Sequence, residues 1–148
     1  MSNSYDDVMA RRSDIMRQAL ALDYDSFQHG DLVFDYDALM SSTGYRLDDV
    51  ARIQAETKVG HTPLYELHRL TEAVREIAGP GKGARILLKD EAANASGSFK
   101  ARRASLSAHE AQVKGFAGMV TATSGNYGAA VASQAAQRGL ACIVIQEI

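Results

Sequence analysis

The sequence predicts an α/β protein: a parallel twisted sheet with helices on both faces, preceded by a helical extension. Three observations predict it. Runs that are apolar throughout, "ARILLKD", "FAGMVTA" and "LACIVIQ", recur along the second half of the chain. Helical stretches long enough for a parallel crossover lie between them. Strands without in-out alternation are buried on both faces, as parallel strands between two helix layers are. In such folds ligands sit beyond the carboxyl ends of the strands, where strand-to-helix loops open.

Each element follows from local pattern. Asp6 to Leu22 carries a weak apolar stripe of Val8, Met9, Ile15, Met16 and Leu20 and is expected to be one helix. A polar loop dotted with aromatics, "DYDSFQHGDLVFDYD", comes next. "RLDDVARIQAET" reads as a short helix with acids near its positive end. Gly60 and Pro63 in "GHTPLYEL" break it. Leu67, Leu70, Val74 and Ile77 recur at helical spacing, which predicts a helix over Glu66 to Ala78. "GPGKG" lacks the serine or threonine of a phosphate-binding P-loop and reads as a turn. Ser98 to Lys114 is helical, with Phe99, Leu106 and Val113 on one stripe. Asn126 to Arg138 is an alanine-rich helix stopped by Gly139. The expected division is a helical extension over 1–59 and the start of an α/β region over 60–148. The last run, "ACIVIQEI", stops inside what reads as a buried strand, so the chain is expected to be an N-terminal piece of something longer.

Composition narrows the partners. With 148 residues the chain suits one domain burying roughly 70% of its unfolded surface. A net charge of -2 at pH 7 gives no basic footprint for nucleic acid or an anionic membrane. No apolar run reaches bilayer-spanning length, and the N-terminal segment lacks a signal-type apolar core. Cys142 stands alone, which excludes an internal disulfide and a cysteine-based zinc site and fits a cytoplasmic location. His61 has no second histidine at chelating spacing, so no metal site is expected.

The chemistry lies in two loops. In "EAANASGSFK", Ser98 is expected to cap a helix and to leave Lys100 in its first turn. The positive end of the helix dipole disfavours an ammonium there by about 0.3–1 kcal/mol. A neutral amine is what Schiff-base chemistry needs, although a solvated surface lysine is the commoner role. In "TATSGNYG", Thr123, Ser124 and Gly125 lead into Asn126, and Gly128 keeps the backbone open. Amides at a helix start bind carboxylate or phosphate. Asn126 suits either an amide donor to a ligand or a cap.

Together, "GHTPL", "LLKDEAANASGSFKARRA" and "TATSGNYGAAVASQAA" resemble, in order and spacing, the fold-type II pyridoxal-phosphate enzymes, the tryptophan synthase β family. The resemblance covers Gly60 to the end. It implies pyridoxal 5'-phosphate held as a covalent aldimine on Lys100, which then moves the substrate's α-proton. It implies Asn126 on the cofactor's phenolic oxygen and Phe99 in the cofactor-binding set. Thr123, Ser124, Gly125 and Tyr127 would hold the substrate carboxylate. Ala95, Ala101, Tyr127 and His61 depart from the residues usual in the family, and the last two bear on substrate choice. The family's glycine-rich phosphate loop follows the "SGN" loop and is not in this sequence, so the piece alone is expected to be inactive.

A finer resemblance, including "TGYRLDDVARIQAETKVGHTPL", is to thiolase β subunits of this family. It implies cleavage of 2-amino-4-ketopentanoate with coenzyme A to alanine and acetyl-CoA during ornithine degradation. A small α subunit and homo-oligomers are the implied partners. A threonine synthase, threonine dehydratase or ammonia-lyase activity, or a non-catalytic nucleotide-binding α/β domain, stays open at this point.

Overall fold

A computed structural model describes residues 4–30 and 33–146. Residues 1–3 of the N-terminal segment, 31–32 of the aromatic loop and 147–148 of the final apolar run lie outside the described residues. The chain divides into two compact units, Met1–Arg46 and Leu47–Ile148.

In the first unit the helix expected over 6–22 is two helices, α1 (Tyr5–Ala10) and α2 (Arg12–Leu20). They part at Arg11, whose φ of -103° and ψ of 7° leave the helical region. Ser4 caps α1 by accepting from the Asp7 amide. The loop that follows is more ordered than its polarity predicts. A 3-10 turn (Tyr24–Phe27) leads to β1 (Gln28–His29), which pairs antiparallel with β2 (Val33–Phe34). Next comes α3 (Tyr36–Ser42), capped by Asp35. The Phe34 ring sits 4.5 Å from Tyr24, 4.8 Å from Tyr36 and 6.2 Å from Phe27. These rings supply the apolar contact in a unit whose helices bury no residue.

The second unit runs α4 (Leu47–Glu56), β3 (Leu64–Glu66), α5 (His68–Ala78), β4 (Leu87–Lys89), a 3-10 turn (Glu91–Ala93), α6 (Lys100–Val113), β5 (Gly118–Thr123), α7 (Asn126–Gln137) and β6 (Ala141–Gln146). Its strands correct the expected sheet. The "ARILLKD" run does not join the other two; β4 pairs antiparallel with β3, Leu64 opposite Lys89 and Glu66 opposite Leu87. The cause is local: Pro63 and the left-handed His61 (φ 49°) turn the chain after α4 and leave Leu64–Glu66 extended. For the same reason α5 starts at His68, not Glu66.

β5 and β6 form a parallel pair, Gly118 opposite Ala141 through Thr123 opposite Gln146, and α7 connects them. α7 packs on both strands, and α6 packs on α7 and β5. On the pair, Val120, Ile143 and Ile145 are 68%, 60% and 58% exposed. Helices on both sheet faces are therefore not found among the described residues. The mixture of helix and strand stands; among the described residues parallel pairing is confined to β5 and β6.

Small side chains make the core. α6 buries Ala101, Ala104, Ser105, Ala108 and Ala111, while Phe99 and Val113 of the expected stripe are exposed. α7 answers with Gly128, Ala130, Val131, Gln134 and Ala135. The burial still repeats at helical period, but alanine carries so little apolar weight that the bulky residues mislead. In α5, Leu70 and Ile77 are likewise exposed and Thr71 is buried, its hydroxyl accepting from the Ile86 amide at 3.0 Å. Gly139 ends α7 at φ 69°, and the Leu140 amide closes onto the Ala135 carbonyl at 2.9 Å.

Gly128 is the tightest point. A Cβ there would lie 2.3 Å from Thr123 Cγ2 and 2.8 Å from Val144 Cγ1. Gly128→Ala is expected to destabilise the protein by about 1–3 kcal/mol in urea unfolding. A loss within about 0.5 kcal/mol, the usual surface range, would contradict this packing.

Candidate functional site

Two strand-to-helix corners meet at the carboxyl end of β5. One runs from β4 through the 3-10 turn and residues 94–99 into α6; the other is the corner between β5 and α7. Because α6 lies against α7 and β5, its first residue arrives beside the second corner. Lys100, Ala122 and the run Thr123 to Tyr127 line one cleft of about 580 Å³, within the roughly 300–1,000 Å³ of small-molecule sites.

Lys100 is half-buried, and its ammonium rests over the Phe99 ring at 4.5 Å from the centroid. Phe99 is itself exposed and flanks the cleft residue rather than lining the cleft. Ser98 is not the cap expected of it. Phe99 occupies the cap position with near-helical angles and no side-chain bond, which places Ser98 one residue too early to reach the helix amides. The hydroxyls of Ser98 and Ser96 are buried without a hydrogen-bond partner.

The second corner is folded by Thr123. Its Oγ1 accepts from the Gly125 amide at 3.0 Å and the Gly128 amide at 3.1 Å. The amides of Asn126 and Tyr127, at the positive end of α7, have no intrahelical acceptor. Gly125 holds the cap position, so the Asn126 side chain is not spent on capping; it is exposed, as is Ser124. Tyr127 is half-buried against Ala104, Ala130 and Val131, with the Arg103 guanidinium 4.9 Å above its ring.

Behind the lysine lies a polar cluster that sequence reasoning missed. Arg102 donates from Nε to Glu91 Oε2 and from Nη2 to Oε1, both at 2.7 Å. Thr62 donates to Glu91 Oε1 at 2.7 Å, and Asn94 Nδ2 to Glu91 Oε2 at 3.1 Å. Asn94 Oδ1 accepts from the Gly60 amide at 3.0 Å, and Gln54 Nε2 donates to the Arg102 carbonyl at 3.2 Å. Hydrogen bonds from Arg102, then from Thr62, hold the Glu91 carboxyl at about 2, below the ordinary 4.5. The signal was present as an acid, an amide and an arginine around the lysine, but nothing local pairs residues eleven apart.

Other motifs stay apart. "GPGKG" wraps the end of α5, where a Cβ on Gly83 would meet Arg75 Cγ at 2.8 Å. "RRASL" lies inside α6, and His61 sits in an exposed turn outside the cleft lining.

A family model described as "Pyridoxal-phosphate dependent enzyme" matches residues 55–147. The chain is 57% identical over 145 residues to a 2-amino-4-ketopentanoate thiolase beta subunit from an unknown prokaryotic organism, covering 98% of this chain and 31% of that protein. It is 55% identical over 144 residues to the protein of the same description from Acetoanaerobium sticklandii, covering 97% and 31%. A threonine synthase of Halalkalibacterium halodurans is 35% identical over 86 residues, 58% of this chain and 22% of that protein. The chain thus spans about a third of the length of the thiolase subunits it matches. No solved structure matches it significantly.

The Glu91 cluster makes a pH prediction. The folded carboxyl titrates below the unfolded one, so as pH drops the unfolded chain takes the proton first. The contribution is present above pH 4.5 and is lost as pH falls towards 2. Unfolding free energies across that window should fall less steeply in Glu91→Gln than in the unaltered protein. Equal slopes would remove this carboxyl as the source.

Proposed function

The chain belongs to the pyridoxal-phosphate dependent enzymes, and from that premise we propose that it carries the cofactor-anchoring lysine and carboxylate loop of a 2-amino-4-ketopentanoate thiolase β subunit. The observation carrying the proposal is the shared cleft: the one lysine among its lining residues lies with the "TSGN" turn.

The residues suit the cofactor. An amine is available in a cleft of the right size, two buried hydroxyls without partners precede it, and an uncommitted amide side chain stands at the start of α7. Lys100 would hold the cofactor covalently and Asn126 would hydrogen-bond its phenolic oxygen, with Phe99 beside the linkage. When bound, pyridoxal phosphate supplies the electron sink for chemistry at the substrate's α-carbon.

The remaining work falls to the chain. The α7 amides, with Ser124, Gly125 and Tyr127, bind the substrate carboxylate, and Thr123 keeps that turn in shape. Lys100 would also serve as the general base that takes the α-proton. Coenzyme A is the proposed co-substrate, cleaving 2-amino-4-ketopentanoate to alanine and acetyl-CoA in ornithine degradation. A small α subunit and further copies of the chain are the proposed partners, in the cytoplasm. The fold-type II assignment is part of the same proposal. The identity to a threonine synthase supports a second reading, a threonine synthase-like or ammonia-lyase activity within the same chemistry.

Borohydride reduction of the full-length, pyridoxal-phosphate-loaded protein should leave a phosphopyridoxyl group on Lys100, found by peptide mass mapping, and Lys100→Ala should abolish both label and turnover. Label on another lysine would overturn the assignment. Products formed with and without coenzyme A separate the two readings. Asn126→Ala should lower kcat/KM by about 10–100-fold, the range for losing a hydrogen bond to a charged group.

A further inference from the structure

α6 begins without a capping side chain, yet its first residue is the one that must be placed most accurately. Something else has to fix that turn. Arg102 is two residues after Lys100, about 200° around the helix at 3.6 residues per turn, so the two side chains leave nearly opposite sides. Lys100 faces the cleft; Arg102 reaches back to Glu91 in a two-bond fork, and its carbonyl accepts from Gln54 of α4. The fork's acceptor is itself immobilised. Thr62 and Asn94 both donate to Glu91, and Asn94 also holds the Gly60 amide and accepts from the Gly97 amide at 2.7 Å. Lys89 Nζ closes the far side on the Thr62 carbonyl at 2.5 Å. Gln54 of α4, the turn at 60–62 and residues 91–94 are therefore tied, directly or through Glu91 and Asn94, to Arg102 in the first turn of α6.

We propose that the Glu91–Arg102 fork, braced by Thr62 and Asn94, replaces the missing cap and sets the position of Lys100 at the start of α6. Glu91 and Arg102 are positioning residues: they act on the cofactor only through the lysine. Fraying of α6 by one residue would move that lysine by up to 1.5 Å along the axis, and a misplacement of about 1 Å is enough to cost about 100-fold in rate. The inference deepens the assignment of Lys100 and rests on it.

The test compares full-length unaltered protein, Glu91→Gln and the milder Thr62→Val. Backbone hydrogen–deuterium exchange is read without cofactor, and borohydride labelling of Lys100 with pyridoxal phosphate. In Glu91→Gln the amides of residues 104–106, which donate to the carbonyls of the first turn of α6, should exchange about tenfold faster or more while those of α7 keep their protection. Labelling of Lys100 should slow, and kcat should fall about 100-fold with a smaller change in KM. Arg102→Lys, which keeps the charge but not the fork, should behave like Glu91→Gln. Thr62→Val should shift exchange in the same direction by less, and it decides the matter if Glu91→Gln does not fold. Unchanged exchange at 104–106 overturns the proposal, and so does faster exchange with unchanged labelling, which would make the fork a stability element only. Unaltered protein that takes no label on Lys100 overturns the functional reading and this inference with it, a result distinct from the other two.

Discussion

The Arg102 guanidinium meets the Glu91 carboxylate through two 2.7 Å hydrogen bonds, and three segments of the chain are ordered around that contact. The turn at 60–62, the 3-10 turn at 91–93 and the first turn of α6 each place a group on it. The pair is only partly exposed, 35% for Arg102 and 22% for Glu91. A pair so placed is worth its desolvation only when the remaining lone pairs are filled. Here they are, by Thr62 and Asn94. Losing either partner would strand a half-buried charge, which is why the cluster behaves as one unit.

The second constraint is steric. α6 and α7 meet through mostly small side chains, Ala104 against Ala130 and Val131, and α7 reaches β5 through Gly128, where no Cβ fits. Close approach brings the amides at the start of α7 level with the strand end and next to the first residue of α6. Bulkier faces would hold the helices further off and widen the cleft. A core of this kind gains little per residue from apolar burial, so its stability rests on density and on polar anchors such as Arg138. Arg138 ties α7 to Glu56 at 3.0 Å and to Gln112 at 3.1 Å.

Family membership in turn gives the geometry a purpose. On the proposed reading the two corners supply the amine and the carboxylate cradle of a pyridoxal-phosphate dependent enzyme, and both end at one cleft. Division of labour is visible in the threonine and the asparagine. Thr123 is consumed in shaping its turn, whereas Asn126 is left uncommitted at the helix start.

The sequence by itself determined the helices over the second half, the β5–α7–β6 crossover and the two loops at its edge, because each is written in residues close along the chain. Glycine at a helix stop, small residues before a lysine and "SGN" after a strand act locally. It misassigned what depends on distant neighbours. β4 pairs with β3, an earlier strand that Pro63 leaves extended, and alanines rather than Phe99 and Val113 took the face of α6 that α7 and β5 cover. Only the tertiary structure decided that Arg102 faces Glu91, since a hydrogen-bonded pair across a loop has no periodicity or composition to betray it. The chemistry was local and the alignment that would make it work was not, because orientation comes from contacts among segments that only folding brings together.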